Sequence, residues 1–459
     1  MYHKKAHIHF VGIGGIGMSG IAHILRQQGY TISGCDLDVS QQSIINLTHL
    51  GCSIFPGNNN ERCHDASIDV LVYSSAVAQE TPEIVAARKR GIPTIPRALM
   101  LAELMRTKYS IAIAGSHGKT TTTSLISHLL IEAHIDPTVI IGGHLKSISS
   151  NARLGNGDFL VAEADESDRS FTHLFPTIAV ITNIDLEHLE TYKDLDDIRA
   201  TFARFLSNIP FYGKAIVCVD DPQVRSILPI DSVKIVSYGI DNPAMVMASK
   251  VELGSDYSRF NLVYKGTDHG QVFLPIPGKH NVLNSLAALA LATDLEVPLE
   301  KSIAALATFK GVDRRFTFKG VFSGAEFFDD YGHHPVEIYH TLQVAKRRNR
   351  GKLFVVFQPH RYTRTEKLWD HFVNTFAASG IDGLIITDIY PASELPIAGV
   401  TSERLVEAIR SAAPDLPIWY ASYDRNFSTI KNILLPLLTP NDLVLLQGAG
   451  ALNKLVDTL

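Results

Sequence analysis

Two glycine-rich turns constrain this chain most, because each lies between a short apolar strand and the start of a helical pattern. The first is HFVGIGGIGMSG, residues 9–20, and the second is IAIAGSHGKTTTT, residues 111–123. A strand, a glycine turn and a helix in this order form the phosphate-binding corner of open parallel sheets. The pattern therefore predicts an α/β fold with two separate sites for phosphate groups.

Strand and helix patterns alternate along the chain, and the alternation restarts near residues 108 and 313. A chain of 459 residues exceeds what one core supports and suggests about three domains. We expect a Rossmann-like domain over 1–107, a central P-loop-type ATPase domain with a mostly parallel sheet over 108–312, and a Rossmann-like C-terminal domain over 313–459.

Composition excludes several classes of function. The net charge of −5, with acids and bases interspersed, disfavours binding to nucleic acid or to an anionic membrane. No apolar run is long enough for a membrane span. Four cysteines form no C-x-x-C pair and no zinc-like cluster with histidine along the sequence: Cys35, Cys52, Cys63 and Cys218. A reduced, cytoplasmic protein is expected, with the cysteines as small apolar packing.

The first turn has the spacing of a dinucleotide-binding loop. Gly12, Gly14 and Gly17 satisfy G-x-G-x-x-G, and Asp36 ends the next strand. The glycines let backbone N–H groups approach a pyrophosphate, and the acid reaches a ribose hydroxyl. NAD and a UDP-sugar share both groups, so the loop predicts a diphosphate nucleotide without identifying it.

The second turn departs from the strict P-loop pattern, because Ile113 stands five positions before Gly118 where a glycine is expected. Its context still predicts an ATP site: helix N–H groups face the phosphates, Lys119 adds a positive charge and the Thr120 hydroxyl is a magnesium ligand. Two such loops in one chain favour an enzyme that joins a nucleotide-linked substrate to ATP chemistry.

Eight motifs in order make the chain similar to the Mur ligase family: HFVGIGGIGMSGIA, GSHGKTTTTS, VAEADESD, TNIDLEHLETY, GKHNVLNSLAALA, GVDRRF, DDYGHHPVEI and QPHRYTRT. One such motif is weak, but eight over residues 9 to 365 are highly specific. The family's phosphate loop is shorter than the strict pattern and does not use the distant glycine. Ile113 therefore fits the resemblance.

The resemblance implies an ATP-driven amide ligation in peptidoglycan synthesis, with the motifs closest to the members that add L-alanine. The lactyl carboxylate of UDP-N-acetylmuramate would attack the γ-phosphate of ATP, and the amine of L-alanine would then attack the acyl phosphate. Such chemistry demands positioning and charge neutralisation. The expected ligands are ATP, these two small molecules and Mg²⁺, two ions with Mn²⁺ as a substitute, in a monomer or homodimer.

The resemblance also assigns residues around ATP. Lys119, His188, Arg315 and Asp330 are the expected catalytic groups. Thr120, Glu163 and His188 are the expected magnesium ligands. The expected ATP contacts come from the phosphate loop, the start of a later helix and an arginine: Gly115, Ser116, His117, Gly118, Lys119, Thr120, Thr121, His280, Asn281, Asn284 and Arg315.

Substrate contacts are expected from the first loop and from the third domain: Gly12, Gly14, Gly17, Met18, Ser19, Asp36, Ser75, His188, Tyr331, His333, Arg361 and Arg364. The two arginines suit the carboxylate either of alanine or of the substrate. The base for the alanine amine is open between His188 and His333. Glu187 and Glu190 stand where many relatives have aspartate, so we do not assign them as direct ligands.

Three other functions compete with this interpretation. A sister ligase that attaches a murein tripeptide shares both loops, but its first loop differs from HFVGIGGIGMSGIA. A nicotinamide oxidoreductase would use the first loop only. A non-catalytic regulator or scaffold would not need Lys119, Thr120, Glu163, His188 and Asp330 intact.

Overall fold

The computed structural model describes residues 5–57, 63, 65–145, 150–392 and 394–459, which are organised around three sheets. The strands of the first sheet are β1 (His7–Val11), β2 (Thr31–Asp36), β3 (Ser53–Pro56), β4 (Val70–Tyr73) and β5 (Thr94–Pro96). They are all parallel, in the order β3-β2-β1-β4-β5. The helices of this region are α1 (Ile16–Gln27), α2 (Gln42–His49), α3 (Pro82–Lys89) and α4 (Arg97–Met105).

The central sheet has ten strands: β6 (Tyr109–Ala114), β7 (Thr138–Leu145), β8 (Ser150–Arg153), β9 (Phe159–Glu163), β10 (Ile178–Ile181), β11 (Lys214–Cys218), β12 (Lys234–Gly239), β13 (Val246–Leu253), β14 (Ser258–Tyr264) and β15 (Thr267–Leu274). Their order is β15-β14-β13-β12-β11-β10-β6-β9-β7-β8. Among the described residues, three neighbouring pairs are antiparallel: β7 with β8, β13 with β14, and β14 with β15. The other neighbouring strands of this sheet are parallel. The mostly parallel sheet is therefore confirmed.

Five helices accompany the central sheet: α5 (Lys119–Glu132), α6 (Leu195–Ser207), α7 (Pro222–Ser226), α8 (Lys279–Asp294) and α9 (Leu299–Ala307). Helices α5 and α8 pack against each other and are buried over most of their length. Burial of α8 on all sides explains its alanine-rich sequence, because small side chains allow close packing against α5 and the sheet.

The third sheet has six strands: β16 (Thr317–Phe322), β17 (Ala325–Asp330), β18 (Leu353–Phe357), β19 (Gly383–Thr387), β20 (Ile418–Ala421) and β21 (Leu443–Gln447). Their order is β16-β17-β21-β18-β19-β20, parallel except for the hairpin of β16 and β17. The helices are α10 (Pro335–Arg348), α11 (Tyr362–Lys367), α12 (Trp369–Ala377), α13 (Ser402–Ala412) and α14 (Ser428–Leu434). Short 3₁₀ helices occur at Ser170–His173, Leu435–Leu437 and Ala451–Thr458.

The apolar core is continuous between the first two sheets. Phe10 and Leu25 of the first domain belong to the same cluster of buried side chains as Ala112, Ala162 and Phe202 of the central domain. Helix α1 packs directly on β7 and β8 of the central sheet. The two clusters around the third sheet are made from that domain's own residues, within the described part of the chain.

Two of the cysteines lie near a histidine in three dimensions, although the sequence shows no such cluster. All four are free thiols and buried. Cys35 at the end of β2 and Cys63 before β4 lie beside His9 of β1. Sequence spacing missed this group because adjacent parallel strands bring together residues that are far apart along the chain. Among the described residues, no helix is both long and apolar enough to cross a membrane.

The packing on α6 yields a prediction about stability. Phe202 is fully buried, and its ring centroid lies 5.1 Å from that of Phe171. Replacing Phe202 with alanine leaves a cavity, so we expect Phe202→Ala to cost about 3–5 kcal/mol of unfolding free energy. The matched control is Phe211→Ala, because Phe211 is 84% exposed. Calorimetry should show a lower unfolding temperature for the first variant only; equal temperatures would contradict this packing.

Candidate active site

The second glycine turn begins after β6 and leads into α5. The φ angles of Gly115 and Gly118 are +137° and +82°, values that residues other than glycine rarely adopt. A Cβ on Gly118 would lie 2.7 Å from Oδ1 of Asn284, and one on Gly115 would overlap Oγ1 of Thr182. Ile113 is a buried strand residue paired with neighbouring strands. The turn therefore needs glycine at its own two positions and not at 113.

Lys119 is held in the turn by a buried ion pair. Its Nζ atom lies 2.7 Å from Oε1 of Glu166 and donates to the carbonyl oxygens of Gly115 at 2.6 Å and Ser116 at 3.2 Å. Burial alone would lower the pKa of Lys119, but Glu166 outweighs it and raises that pKa. A fixed positive charge therefore lies at the start of α5, next to the helix N–H groups.

Oxygen ligands for a hard divalent cation lie beside this turn. Thr120 Oγ1 is 3.3 Å from Oε2 of Glu163 at the end of β9, and Oε1 of Glu163 accepts from Gly142 N at 2.7 Å. Burial raises the pKa of Glu163, against the effect of the Gly142 hydrogen bond. The predicted pair Thr120 and Glu163 is thus brought together, with a hydroxyl and a carboxylate that suit Mg²⁺.

A second group of ligands lies around His188. Nε2 of His188 is 3.4 Å from Oε1 of Glu166 and 3.7 Å from Oε2 of Glu187. Oε2 of Glu166 is buried and has no hydrogen-bond partner in the described part of the chain. A buried carboxylate oxygen without a hydrogen-bond partner fits a role as a ligand of a cation. Burial opposes protonation of His188, but Glu166 and Glu190 raise its pKa to about 9.

A cavity of about 1000 Å³ opens between the central domain and the third domain. Seven predicted ATP residues line it: His117, Gly118, Thr121, His280, Asn281, Asn284 and Arg315. Aromatic side chains from the hairpin β16 and β17 line it as well, including Phe318 and Phe328. Gly115, Ser116, Lys119 and Thr120 lie at the turn itself rather than along this cavity. The size and mixed lining suit a nucleotide.

The two asparagines at the start of α8 have different surroundings. Asn284 accepts a hydrogen bond from Thr122 of α5 at 3.1 Å and is buried, so it ties α8 to the phosphate-turn helix. Asn281 donates to the carbonyl oxygen of Pro277 at 2.7 Å and borders the cavity. Burial, with His340 and Arg315 nearby, lowers the pKa of His280 to about 3, so this ring is neutral.

Asp330 borders the cavity but is engaged within its own domain. Its carboxylate accepts from four groups: Phe316 N, Gly332 N, Thr341 Oγ1 and Gln447 Nε2. Those bonds fix the segment that carries Arg315, whose Nη1 atom is 3.7 Å from Oε1 of Glu337. The surroundings of Asp330 therefore favour a positioning role over direct contact with substrate.

Sequence reasoning missed the partner of His117. Nε2 of His117 is 3.0 Å from Oδ2 of Asp185, and Nδ1 is 3.8 Å from Oε1 of Glu337 in the third domain. The ring of His334, which caps α10, lies 4.8 Å away between centroids. Burial would lower the pKa of His117, but the Asp185 and Glu337 carboxylates raise it to about 10. Asp185 and Glu166 both follow strands of the central sheet, and polar residues at that position in a parallel sheet commonly belong to the ligand site. Their position was therefore the signal in the sequence that could have identified them.

The third domain brings its arginines to the central domain. Nη1 of Arg361 is 3.2 Å from Oε1 of Glu190, and Nη2 of Arg364 is 3.8 Å from Oε1 of Glu187. The two glutamates that we did not assign as ligands are therefore partners of the predicted substrate arginines.

His333 of the third domain lies near Arg364, whereas the ring of Tyr331 lies beside Arg315, 5.5 Å from its guanidinium carbon. Nδ1 of His333 is 3.1 Å from the carbonyl oxygen of Tyr331, so Nδ1 carries the hydrogen and the lone pair is on Nε2. Burial, together with Arg364, lowers the pKa of His333 to about 4. The ring of His333 is therefore neutral near neutral pH, unlike that of His188.

The first glycine turn lies where the strand order of the first sheet reverses, between β1 and β4. Gly12 has φ of +79°, and a Cβ there would press on Ser74 and Val77 at 3.2 Å. Gly14 N donates to Oδ2 of Asp36 at 2.8 Å. Ser75 is exposed in the adjoining turn after β4. Gly17 faces Arg97. The predicted substrate residues of this region that lie on one surface are Gly12, Gly14, Gly17, Asp36 and Ser75.

Met18 and Ser19 do not face that surface. Met18 is 1% exposed and belongs to the shared core. The Ser19 hydroxyl donates to Ile16 O at 3.0 Å and lies 3.1 Å from Nδ2 of Asn151, in the central domain. Because α1 packs on β7 and β8, its turn after Gly17 carries these side chains inward.

Known proteins match the chain along its whole length. Three family models match in order: the Mur ligase family catalytic domain over 7–109, the Mur ligase middle domain over 113–292 and the Mur ligase glutamate ligase domain over 314–450. The UDP-N-acetylmuramate–L-alanine ligase of Syntrophus aciditrophicus (strain SB) is 47% identical over 454 residues, which cover 99% of this chain and 93% of the relative.

Two further comparisons agree. The UDP-N-acetylmuramate–L-alanine ligase of Geotalea uraniireducens (strain Rf4) is 48% identical over 459 residues, covering 100% of this chain and 98% of the relative. The crystal structure of the UDP-N-acetylmuramate-alanine ligase of Thermotoga maritima superposes with a TM-score of 0.82 at 27% identity, covering 99% of this chain and 98% of that one. The chain belongs to the Mur ligase family.

Proposed function

We propose that this chain is an ATP-dependent ligase that joins L-alanine to the lactyl carboxylate of UDP-N-acetylmuramate in peptidoglycan synthesis. The observation that carries the proposal is full-length similarity, at 46–49% identity, to relatives that are named for this activity. Eight such relatives carry the name UDP-N-acetylmuramate–L-alanine ligase, and none of the eight is named as a murein tripeptide ligase. The murein tripeptide alternative is therefore not favoured.

The reaction proceeds by activation of a carboxylate. An oxygen of the lactyl carboxylate attacks the γ-phosphorus of ATP, the bond to the β,γ-bridging oxygen breaks, and ADP leaves. The amine of L-alanine then attacks the acyl carbon and loses a proton. Phosphate leaves from the tetrahedral intermediate, and an amide remains. Both steps ask the protein for orientation and for fixed positive charge.

The phosphate turn supplies that charge. Lys119 and the N–H groups at the start of α5 bind the triphosphate, and Arg315 approaches from the junction with the third domain. Thr120 and Glu163 would hold one Mg²⁺ and Glu166 with His188 a second, with Mn²⁺ as a substitute. When bound, these ions neutralise phosphate charge. Lys119 adds a fixed positive charge beside the transferring phosphate.

The other predicted residues complete the substrate sites. Asn281 and His280 take the base and ribose of ATP at the aromatic end of the cavity. The loop of Gly12, Gly14 and Gly17 takes the diphosphate of the UDP-sugar, with Asp36 and Ser75 beside it, and Met18 and Ser19 support the loop from its buried side. Tyr331, Arg361 and Arg364 surround the reacting carboxylates.

Of the two candidate bases, the geometry favours His333. Its neutral ring has a lone pair on Nε2, whereas His188 is assigned to the second cation. The four free thiols fit a reducing compartment, and we propose a cytoplasmic location.

Phosphate release from ATP tests the proposed function directly. With UDP-N-acetylmuramate present, L-alanine should stimulate release strongly above the rate without an amine, because the acyl phosphate then has its nucleophile. The panel also contains glycine, L-serine and the murein tripeptide. Stimulation by the tripeptide but not by L-alanine would transfer the assignment to the sister ligase. Formation of the amide, followed by mass spectrometry, separates ligation from simple ATP hydrolysis.

Removal of the lysine charge tests the phosphate turn. We expect Lys119→Ala to lower turnover by at least about two orders of magnitude, because a fixed charge at the transferring phosphate is lost. Lys234→Ala, which removes an exposed lysine from β12, is the matched control and should keep normal turnover. Near-normal turnover of the Lys119 variant would contradict the assignment of this turn.

A magnesium titration tests the role of Glu163. The variant Glu163→Gln keeps the shape but loses the charge, so its activity should need at least about tenfold more Mg²⁺ for half saturation. Glu132→Gln, at the exposed end of α5, should need the normal concentration. If both variants show the same magnesium dependence, Glu163 is not a ligand.

A further inference from the structure

A buried group of soft donor atoms lies in the first domain, outside both phosphate turns. A ring nitrogen of His9 and the Sγ atoms of Cys35 and Cys63 lie within 4.8 Å of one another. The exposed fractions of these residues are 0%, 0% and 3%. Oε1 of Glu83, at the start of α3 and 1% exposed, lies 3.9 Å from Sγ of Cys35. Three side chains that are common zinc ligands therefore meet at one buried point, and the Glu83 carboxylate lies next to one of them, Cys35.

The hydrogen bonds of His9 leave one nitrogen facing this group. Its Nδ1 atom is 2.8 Å from Oγ of Ser33, which is also 2.7 Å from Nε2 of His7. Nε2 of His9 is buried and has no hydrogen-bond partner among the described residues. A buried polar atom without a partner is costly. Metal-bound histidines commonly donate their other N–H to a neighbour, as Ser33 allows here.

We propose that His9, Cys35, Cys63 and Glu83 bind a zinc-like divalent cation. A tetrahedral ion with bonds of about 2.0–2.3 Å places its ligand atoms about 3.3–3.8 Å apart, so the group observed needs only a small contraction. On binding, each thiol releases a proton to solvent as its sulfur–metal bond forms, and neutral His9 donates a lone pair. Mg²⁺ prefers oxygen ligands, so the site is chemically distinct from the ATP site.

The position of the site gives it a structural role. The carbonyl oxygen of Cys35 accepts hydrogen bonds from Gly12 N at 2.9 Å and Ile13 N at 3.1 Å, at the first glycine turn. A cation that ties β1, β2 and α3 together therefore stabilises the base of that turn. Because the cation binds only the folded arrangement of four separate segments, it should raise the unfolding temperature of the protein.

Cobalt binding tests the proposal on the whole, reduced chain without ATP or substrate. Co²⁺ substitutes for Zn²⁺, and thiolate ligation gives a sulfur-to-cobalt charge-transfer absorption that oxygen and nitrogen ligands do not produce. We expect one equivalent of Co²⁺ to produce this band and one equivalent of Zn²⁺ to abolish it. Native mass spectrometry should show a single bound zinc with the same stoichiometry.

Variants then locate the site. Cys35→Ser and Cys63→Ser should each abolish or strongly weaken the band, and Glu83→Gln should keep it at lower affinity. The control is Cys52→Ser, because Cys52 is buried in the same domain but outside the group. Circular dichroism confirms that each variant is folded, and an alanine substitution at the same cysteine replaces any serine variant that is not.

Three results would overturn the proposal. The first is a reduced wild-type chain that gives no charge-transfer band, and the second is a band that survives in both Cys35→Ser and Cys63→Ser. The third is a Cys35–Cys63 disulfide that forms on oxidation while the reduced chain takes up no metal. Ligase activity is measured separately, so failure of this site leaves the proposed function untouched.

Discussion

The buried ion pair of Lys119 and Glu166 is the interaction on which the active site depends. Glu166 is buried and Lys119 is largely so, and a buried charge that loses its partner is strongly destabilising. The pair fixes the lysine over the glycine turn and joins it, through Glu166, to His188. A triphosphate that takes Lys119 leaves the Glu166 carboxylate without a cation, and a divalent cation is the natural replacement. In the proposed function, nucleotide binding and metal binding are therefore coupled by charge balance.

The sequence predicted those parts of the structure that depend on local order. Gly12 and Gly118 have positive φ angles, which favour glycine in these turns. Strand β6, its turn and helix α5 follow one another as the pattern indicates. The three-domain α/β fold followed from the repeated alternation. Site residues within a motif, such as Thr120, also came out near their expected partner, because Glu163 ends the adjacent parallel strand.

What the sequence left out depends on packing between distant segments. The contact of His117 with Asp185 requires the neighbouring strands β6 and β10, and no spacing rule encodes it. Met18 lies within a substrate motif, but the packing of α1 on the central sheet turns it inward. The cysteines show the same limit: Cys35 and Cys63 belong to no local motif, and only the order of the strands unites them with His9.

The two junctions between domains differ in physical character, and that difference locates the movable part. The first and central domains share an apolar core, which is expensive to separate. The third domain meets the central domain through charged contacts, of which the pair of Arg361 and Glu190 is partly exposed and contributes little to holding the domains together. Arg315 and His333 lie on one side of that junction and Lys119 on the other. An opening at that junction would separate these groups, so the proposed reaction requires the third domain to lie against the central one.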